Sequence, residues 1–193
     1  MKKIAIILLF LSFLLPAEAQ SPINLGLKGG INSSKLTSNL SDYDENSINK
    51  FHAGAFIRVN LGNIYVQPEG YFNSKGGELQ ESAGGVVNSF DLKTVDVPVL
   101  LGVNIIKKGP LAVRANAGPV FSFVTDKAFE GETRFSQDYF EDNFFGWQYG
   151  VGADFMMFTL DVRMENSSGE LYKGPDLESK SKSFVISLGF KLL

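Results

Sequence analysis

The side chains of this sequence that could do chemistry are one histidine and a large set of charged residues at alternating positions. The sequence has no cysteine. Histidine serves as a general base near neutral pH, so His52 is the one residue that could be nominated for catalysis. A catalytic histidine works with a nucleophile and an orienting acid, and no motif around His52 supplies them. We therefore interpret His52 as a hydrogen-bonded structural residue. We expect no enzyme activity, no cofactor and no metal site.

The charged residues belong to strand-like segments, of which FTLDVRMEN, residues 158 to 166, is the clearest. Apolar and polar side chains alternate along it with the period of two that an extended strand requires. Its apolar face carries Phe158, Leu160, Val162 and Met164. Its polar face carries Thr159, Asp161, Arg163 and Glu165. A soluble barrel would turn the apolar face inward, whereas a barrel in a membrane would turn the charged face inward.

Alternation of this kind predicts eight strands in all. They cover residues 23 to 32, 51 to 61, 64 to 75, 90 to 105, 111 to 124, 145 to 156, 158 to 166 and 183 to 192. The connections between them are alternately long and tight, and the long polar ones cover residues 33 to 50, 76 to 89, 125 to 144 and 167 to 182. Consecutive hairpins then place every long loop at the same end, which is typical of outer-membrane barrels.

One face of the predicted strands has no charge, and the other mixes charges of both signs with eight glycines. The ten charged residues of this second face are Lys28, Arg58, Glu69, Asp96, Arg114, Asp154, Asp161, Arg163, Glu165 and Lys191. Repeated glycine weakens a strand in water, but inside a narrow barrel it makes room for long neighbouring side chains. We therefore predict that these charges pair across the lumen and fill it, with an ion-conducting pore as the alternative. The apolar face then meets lipid.

The N-terminus resembles an export signal. Lys2 and Lys3 precede an apolar run of 12 residues, from Ile4 to Leu15, which is shorter than the roughly 20 residues of a membrane-spanning helix. Ala17 and Ala19 supply the small residues of a cleavage site, so we predict a signal peptide over residues 1 to 19 and a barrel domain over residues 20 to 193. That domain keeps 16 basic and 20 acidic residues, which does not favour a nucleic-acid partner.

The loop from Thr125 to Phe144 is acidic, but it lacks the spacing of oxygen ligands around a glycine that a calcium loop needs. We interpret it as a solvated loop facing the cell exterior. The alternative is contact with lipopolysaccharide or with a protein partner.

Several segments together resemble the PorT-like outer-membrane β-barrel family of Bacteroidetes. They are LGLKGGIN, IYVQPEGYFNSKGGE with Gln67-Pro68-Glu69, TVDVPVLLGVN with Asp96 and Pro98, Ala117-Gly118-Pro119, and the closing SFVISLGFKLL. The order and spacing of these segments carry the resemblance, which covers nearly all of the predicted domain. It implies an outer-membrane barrel without common catalytic residues, and the role in type IX secretion or gliding that gives the family its name is not implied by the fold. The chain departs from the usual assembly signal by ending on Leu192-Leu193 rather than on an aromatic residue.

The sequence thus predicts an all-β protein: an eight-stranded antiparallel up-and-down transmembrane β-barrel of the bacterial outer membrane. Its expected partners are outer-membrane lipid and lipopolysaccharide, the barrel-assembly machinery during insertion, and a protein reached through the long loops. We expect a structural or interaction role. The alternatives are an accessory component of a type IX secretion or gliding system, and a secreted soluble ligand-binding barrel.

Overall fold

The structure is a computed structural model that describes residues 22–38, 43–46, 48–81, 87–130, 143–168, 172–174 and 177–193. The predicted signal peptide, residues 1 to 19, lies outside the described residues, as does most of the acidic loop between Thr125 and Phe144. Within the described ranges, no helix has the length and apolar character needed to cross a membrane.

Ten strands make up the described chain, and all of them join one sheet. They are β1 (Ile23–Ser38), β2 (Tyr43–Asn46), β3 (Ile48–Leu61), β4 (Ile64–Glu81), β5 (Val87–Lys108), β6 (Leu111–Glu130), β7 (Asn143–Phe155), β8 (Phe158–Ser167), β9 (Tyr172–Gly174) and β10 (Leu177–Lys191). The order is β1-β3-β4-β5-β6-β7-β8-β10, and β10 pairs back with β1, which closes the barrel. Each neighbouring pair is antiparallel, so the predicted eight-stranded antiparallel barrel is confirmed.

Three two-residue turns close one end of the barrel, at Gly62–Asn63, Gly109–Pro110 and Met156–Met157. Gly62 and Gly109 have φ angles of 76° and 58°, in the left-handed region that glycine adopts without a steric penalty. Met156 adopts φ 54° although it carries a Cβ atom, so this turn is strained. The tight connections lie where the sequence predicts them.

The strands at the opposite end are longer than predicted. β5 has 22 residues and β6 has 20, whereas crossing a membrane takes roughly 9 to 11 residues of a tilted strand. Pairing continues beyond the predicted ends, as between Gln80 and Val87. The interpretation as loop was therefore wrong for residues 33 to 38, 48 to 50, 76 to 81, 87 to 89, 125 to 130, 143 to 144, 167 and 177 to 182. The strands β2 and β9 also lie in segments that were predicted as loops. Outside a membrane a hairpin needs no apolar face, so the alternating signal disappears while the backbone pairing persists.

The strand β8 shows which face is inside. Phe158 and Leu160 are 50% and 46% exposed, whereas Thr159 and Asp161 are fully buried. The same arrangement holds around the wall, where the large exposed side chains are apolar and most of the buried ones are polar. A soluble ligand-binding barrel has the reverse arrangement, with an apolar interior. That alternative is therefore wrong, and the charges of FTLDVRMEN face the lumen.

Aromatic side chains gather at both ends of the outer surface. At the long-strand end, Phe145 contacts Phe121 and Trp147 edge to face, with ring centroids 5.5 Å and 5.7 Å apart. At the short-turn end, Phe158 and Phe190 pair at 5.6 Å. Two such girdles flank the apolar band of a membrane barrel, where aromatic rings sit at the level of the lipid headgroups.

Candidate functional site

The candidate site is the polar lumen, which consists of three connected clusters of ion pairs. All ten charged residues predicted from the sequence lie on the inner face, and each has an oppositely charged partner within 4 Å. Nine of them are buried, and Lys191 at the short-turn end is partly exposed. Alternation along the strands puts these residues inside, because every second side chain of a barrel strand points to the lumen.

The central cluster joins Lys28 of β1, Glu69 of β4, and Asp161 and Arg163 of β8. Lys28 Nζ lies 2.8 Å from Glu69 Oε1 and 2.7 Å from Asp161 Oδ2. Arg163 donates through Nη1 to Glu69 Oε2 at 2.6 Å and through Nη2 to Glu69 Oε1 at 2.8 Å. This two-point contact of a guanidinium with a carboxylate is the strongest geometry for such a pair. The cluster therefore ties three strands together across the lumen.

The second cluster lies toward the short turns and centres on Asp154 of β7. Arg114 Nη2 lies 3.2 Å from Asp154 Oδ1, Arg58 donates to Asp154 Oδ2, and Lys191 Nζ lies 3.8 Å from the same oxygen. Arg114 also donates to Asp161 at 2.6 Å, which links this cluster to the central one. One carboxylate thus faces three cations here, so this end of the lumen carries an excess of positive charge.

The third cluster lies toward the long strands and centres on Lys75. Its Nζ is 3.0 Å from Asp96 Oδ2 and 2.5 Å from Glu165 Oε1, and it donates to Ser122 Oγ at 3.1 Å. Gln148 supports Glu165 by donating to Oε2 at 2.7 Å. The acidic pair is thus held by one buried cation and by neutral donors.

The sequence-based set omitted Lys75, although it is as buried as its partners. The alternation of side chains along the strand could have identified it. Lys75 stands six positions after Glu69 on the same strand, so both side chains point to the same side. Gln67, two positions before Glu69, was omitted for the same reason. Gln67 accepts from Arg58 Nε at 2.5 Å and donates to Glu69, so it connects the second cluster to the central one.

Glycine makes the space for these side chains at two places. A Cβ atom on Gly152 would lie 2.4 Å from Asp161 Oδ1 and 2.5 Å from Arg114 Nη1. A Cβ atom on Gly102 would lie 2.0 Å from the ring of Tyr65. All three distances are below any van der Waals contact, so the packing of the lumen requires glycine at positions 102 and 152.

His52 also points into the lumen, from β3. Its Nε2 atom lies 2.9 Å from Ser187 Oγ, and its ring meets that of Tyr71 edge to face with centroids 5.5 Å apart. The other ring nitrogen, Nδ1, has no hydrogen-bond partner among the described residues. A histidine and a serine without an orienting acid form an incomplete catalytic set, and both side chains are almost fully buried. Within the described ranges, no group of three or more acidic or histidine side chains is placed to hold a metal ion.

The closed barrel, its apolar exterior and its charged interior agree with a sequence match over residues 18 to 167. That stretch matches the family model described as outer membrane protein beta-barrel domain. The chain belongs to this family. The outer-membrane barrel accordingly lies in the bacterial outer membrane, as the sequence predicted. A search among curated proteins finds no match.

The solved structures similar to this barrel include three outer-membrane proteins or domains of Yersinia and Neisseria. Ail of Yersinia pestis, solved in complex with the heparin analogue sucrose octasulfate, has 14% identity and a TM-score of 0.45, covering 89% of this chain and 100% of its own. Neisserial surface protein A has 12% identity and a TM-score of 0.48, covering 87% and 97%. The translocator domain of the autotransporter NalP from Neisseria meningitidis has 10% identity and a TM-score of 0.33, covering 98% and 95%.

Proposed function

We propose that this outer-membrane barrel is a non-enzymatic interaction protein that acts through the surface at its long-strand end. The observation that carries the proposal is the filled lumen. Arg114, Arg163 and Lys75 are fully buried and span the interior with their ion pairs. An eight-stranded barrel is just wide enough for its own side chains. The three clusters of ion pairs therefore form a charge plug that fills the lumen, and binding of a partner is left to the outer surfaces. The plug itself holds the strands in register.

The long-strand end supports this proposal by its length. β5 and β6 extend well past the roughly 9 to 11 residues needed to cross the membrane, and they remain paired with each other up to Ser89 and Glu130. Paired strands present a stiffer surface than an open loop, because their backbone groups are already hydrogen-bonded. Such a surface suits recognition of lipopolysaccharide or of a protein partner outside the cell.

Trimming the extensions tests the proposal. Residues 77 to 90 and 124 to 142 would each be replaced by a two-residue Asn-Gly turn. The new turns join the paired residues Gly76 and Asp91 and the paired residues Phe123 and Asn143, which leaves the register of the membrane-spanning part in place. Folding would be checked by the heat-dependent mobility shift of a closed barrel on a denaturing gel. We expect the trimmed barrel to fold and to fail to complement a deletion strain. Full complementation by the trimmed barrel would contradict the proposal.

A conductance measurement separates the plug from a pore. In planar lipid bilayers we expect the wild-type barrel to give no stable channels, because its lumen is occupied by paired side chains. Stable channels whose conductance changes in Glu69→Gln would show instead that the charges line an ion path.

The resemblance to the PorT-like group favours a second candidate, which is an accessory role in type IX secretion or gliding. The support is the resemblance of Gln67-Pro68-Glu69, Asp96-x-Pro98 and Ala117-Gly118-Pro119 to that group. Deletion of the protein would then remove secreted cargo from the culture medium. Normal secretion and normal motility in the deletion strain would leave the interaction role and discard this one.

A further inference from the structure

Three prolines stand in the middle of adjacent strands of the closed barrel: Pro68 in β4, Pro98 in β5 and Pro119 in β6. Proline has no backbone N–H, so in sheets it is normally confined to edge strands, to the first residue of a strand or to bulges. A closed barrel has no edge, and none of the three begins its strand. These are also the prolines of the three short motifs in the sequence, so their shared position in the wall calls for a physical reason.

The missing N–H of Pro98 would have pointed at β4. Asn104 in the same strand donates its backbone N–H to Asn63 O, which lies next to β4, at 2.8 Å. Backbone groups alternate in direction along a strand, so Pro98, six positions away, faces β4 as well. The register places Pro98 opposite Glu69, whose carbonyl therefore lacks its ladder donor.

The missing N–H of Pro119 would have pointed at β5. Met156 donates its N–H to Pro110 O at 3.1 Å, so even-numbered residues of β6 face β7 and odd-numbered ones face β5. The register places Pro119 opposite Val99. By the same alternation, Pro68 faces β3. Each proline thus removes one rung from a different strand boundary.

The pairing of the strands shows the result. Between β5 and β6 the ladder pairs Pro98 with Val120 and Leu101 with Ala117, and the two residues of each strand in between are unpaired with each other. The β4–β5 and β3–β4 ladders are interrupted in the same way beside Pro98 and Pro68. In contrast, β7–β8 and β8–β10 pair without interruption along their whole contact. The wall is therefore weakest over one contiguous region of three strand boundaries.

The lining of the wall distinguishes the three interruptions. At β3–β4 and β4–β5 the inner face carries Arg58, Gln67 and Glu69 of the charged plug. At β5–β6 the inner face carries Leu100 and Val120, which are fully buried and apolar. Opening the wall at the first two boundaries would expose charges to lipid. Opening it at β5–β6 would first expose Leu100, Gly118 and Val120, whose side chains carry no polar atom, and the buried Asn116 and Ser122 come next along the inner face of β6.

We propose that the β5–β6 boundary, between Val99–Leu100 and Gly118–Pro119, is a lateral opening of the barrel that takes up one acyl chain of a membrane lipid. An acyl chain makes no hydrogen bonds, so it is accommodated best where a rung of the ladder is already missing. Both faces at this boundary offer it apolar surface. The chain lies between the strands and displaces Leu100 and Val120 rather than filling an existing cavity. Parting β5 from β6 there separates the flanking pairs Pro98–Val120 and Leu101–Ala117, and the interruptions at β3–β4 and β4–β5 make β4 and β5 easier to displace.

A tryptophan placed inside the lumen tests the opening. In the background Trp147→Phe, which removes the only tryptophan of the chain, Leu100→Trp puts a reporter behind the β5–β6 boundary. The matched control is Val185→Trp, an inward apolar position of β10 whose ladders are unbroken. Both variants would be folded into phosphatidylcholine vesicles whose acyl chains are brominated at mid-chain. We expect emission from Leu100→Trp to be quenched at least twofold more than that from Val185→Trp. Adding Pro119→Val, which restores an N–H toward Val99, should bring the quenching down to the control value.

Equal quenching of the two reporters, or quenching that Pro119→Val leaves unchanged, would overturn the proposal. If Leu100→Trp shows no heat-dependent gel shift and has not folded, amide hydrogen exchange of the wild-type barrel decides the matter. We then expect amides of β5 and β6 next to the interruption to exchange at least tenfold faster than amides of β7 and β8 at the middle of the wall. Equal protection of the two regions would refute the opening independently of any reporter.

Discussion

Replacing Glu69 by glutamine is the sharpest test of the charge plug, because it changes a charge and hardly changes volume. The side chain of Glu69 is fully buried and accepts from both terminal nitrogens of Arg163, from Lys28 and from Gln67. In Glu69→Gln the amide nitrogen turns one acceptor into a donor that faces other donors. Lys28 and Arg163 are then left with Asp161 as their only carboxylate, at 2.7 Å and 3.4 Å.

The expected loss of stability follows from burial. Breaking a buried ion pair by removing one partner costs about 3 to 5 kcal/mol, because the remaining charge stays away from water. That corresponds to a roughly hundredfold to several-thousandfold rise in the unfolding equilibrium constant, at about 1.4 kcal/mol per factor of ten. The exposed pair of Lys93 and Asp126 has a similar distance of 2.8 Å, but its side chains are 62% and 55% exposed. For Asp126→Asn we expect a loss below about 1 kcal/mol, because water screens this pair.

Urea unfolding in lipid vesicles, followed by Trp147 emission and by the gel shift, measures both variants. The double variant Glu69→Gln/Arg163→Met completes a cycle, and it should be less destabilised than the sum of the two single variants, because removing Arg163 also removes the unpaired charge. A Glu69→Gln barrel within about 0.5 kcal/mol of Asp126→Asn would refute the view that the lumen charges hold the barrel together.

Three further predictions concern the packing, a turn and the outer surface. Gly102→Ala should lose about 1 to 3 kcal/mol of unfolding free energy, because its Cβ would overlap the buried ring of Tyr65. Its control is Gly70→Ala, whose Cβ would have nothing within 4 Å and which should unfold at nearly the wild-type urea concentration. Met156→Gly should gain about 1 kcal/mol in the same urea assay by relieving φ 54°, and an unchanged midpoint would show that the turn is not strained. Trp147, half exposed on the outer wall, should be quenched by brominated phosphatidylcholine in the wild-type barrel, and an unquenched Trp147 would contradict its contact with lipid.

Much of the barrel could be predicted from the sequence because its strands obey a local rule. Alternation of period two identified all eight barrel strands, and the glycines among the charges indicated which face lies inside. The rule failed where the membrane no longer imposes it, at the ends of β5 and β6, since paired strands in water need no apolar face. The predicted set of lumen charges also lacked Lys75, although it lies on the same face of β4 as Glu69.

The sequence by itself determined the apolar outer surface of the barrel, its charged interior and the tight turns at Gly62 and Gly109. These features follow from side-chain direction and backbone conformation, which are local properties of the chain. Only the tertiary structure decided that Lys28 meets both Glu69 and Asp161, and that three prolines fall in one weak region of the wall. Such meetings depend on the register between strands and on the closure of β1 with β10, where residues far apart in sequence are brought together.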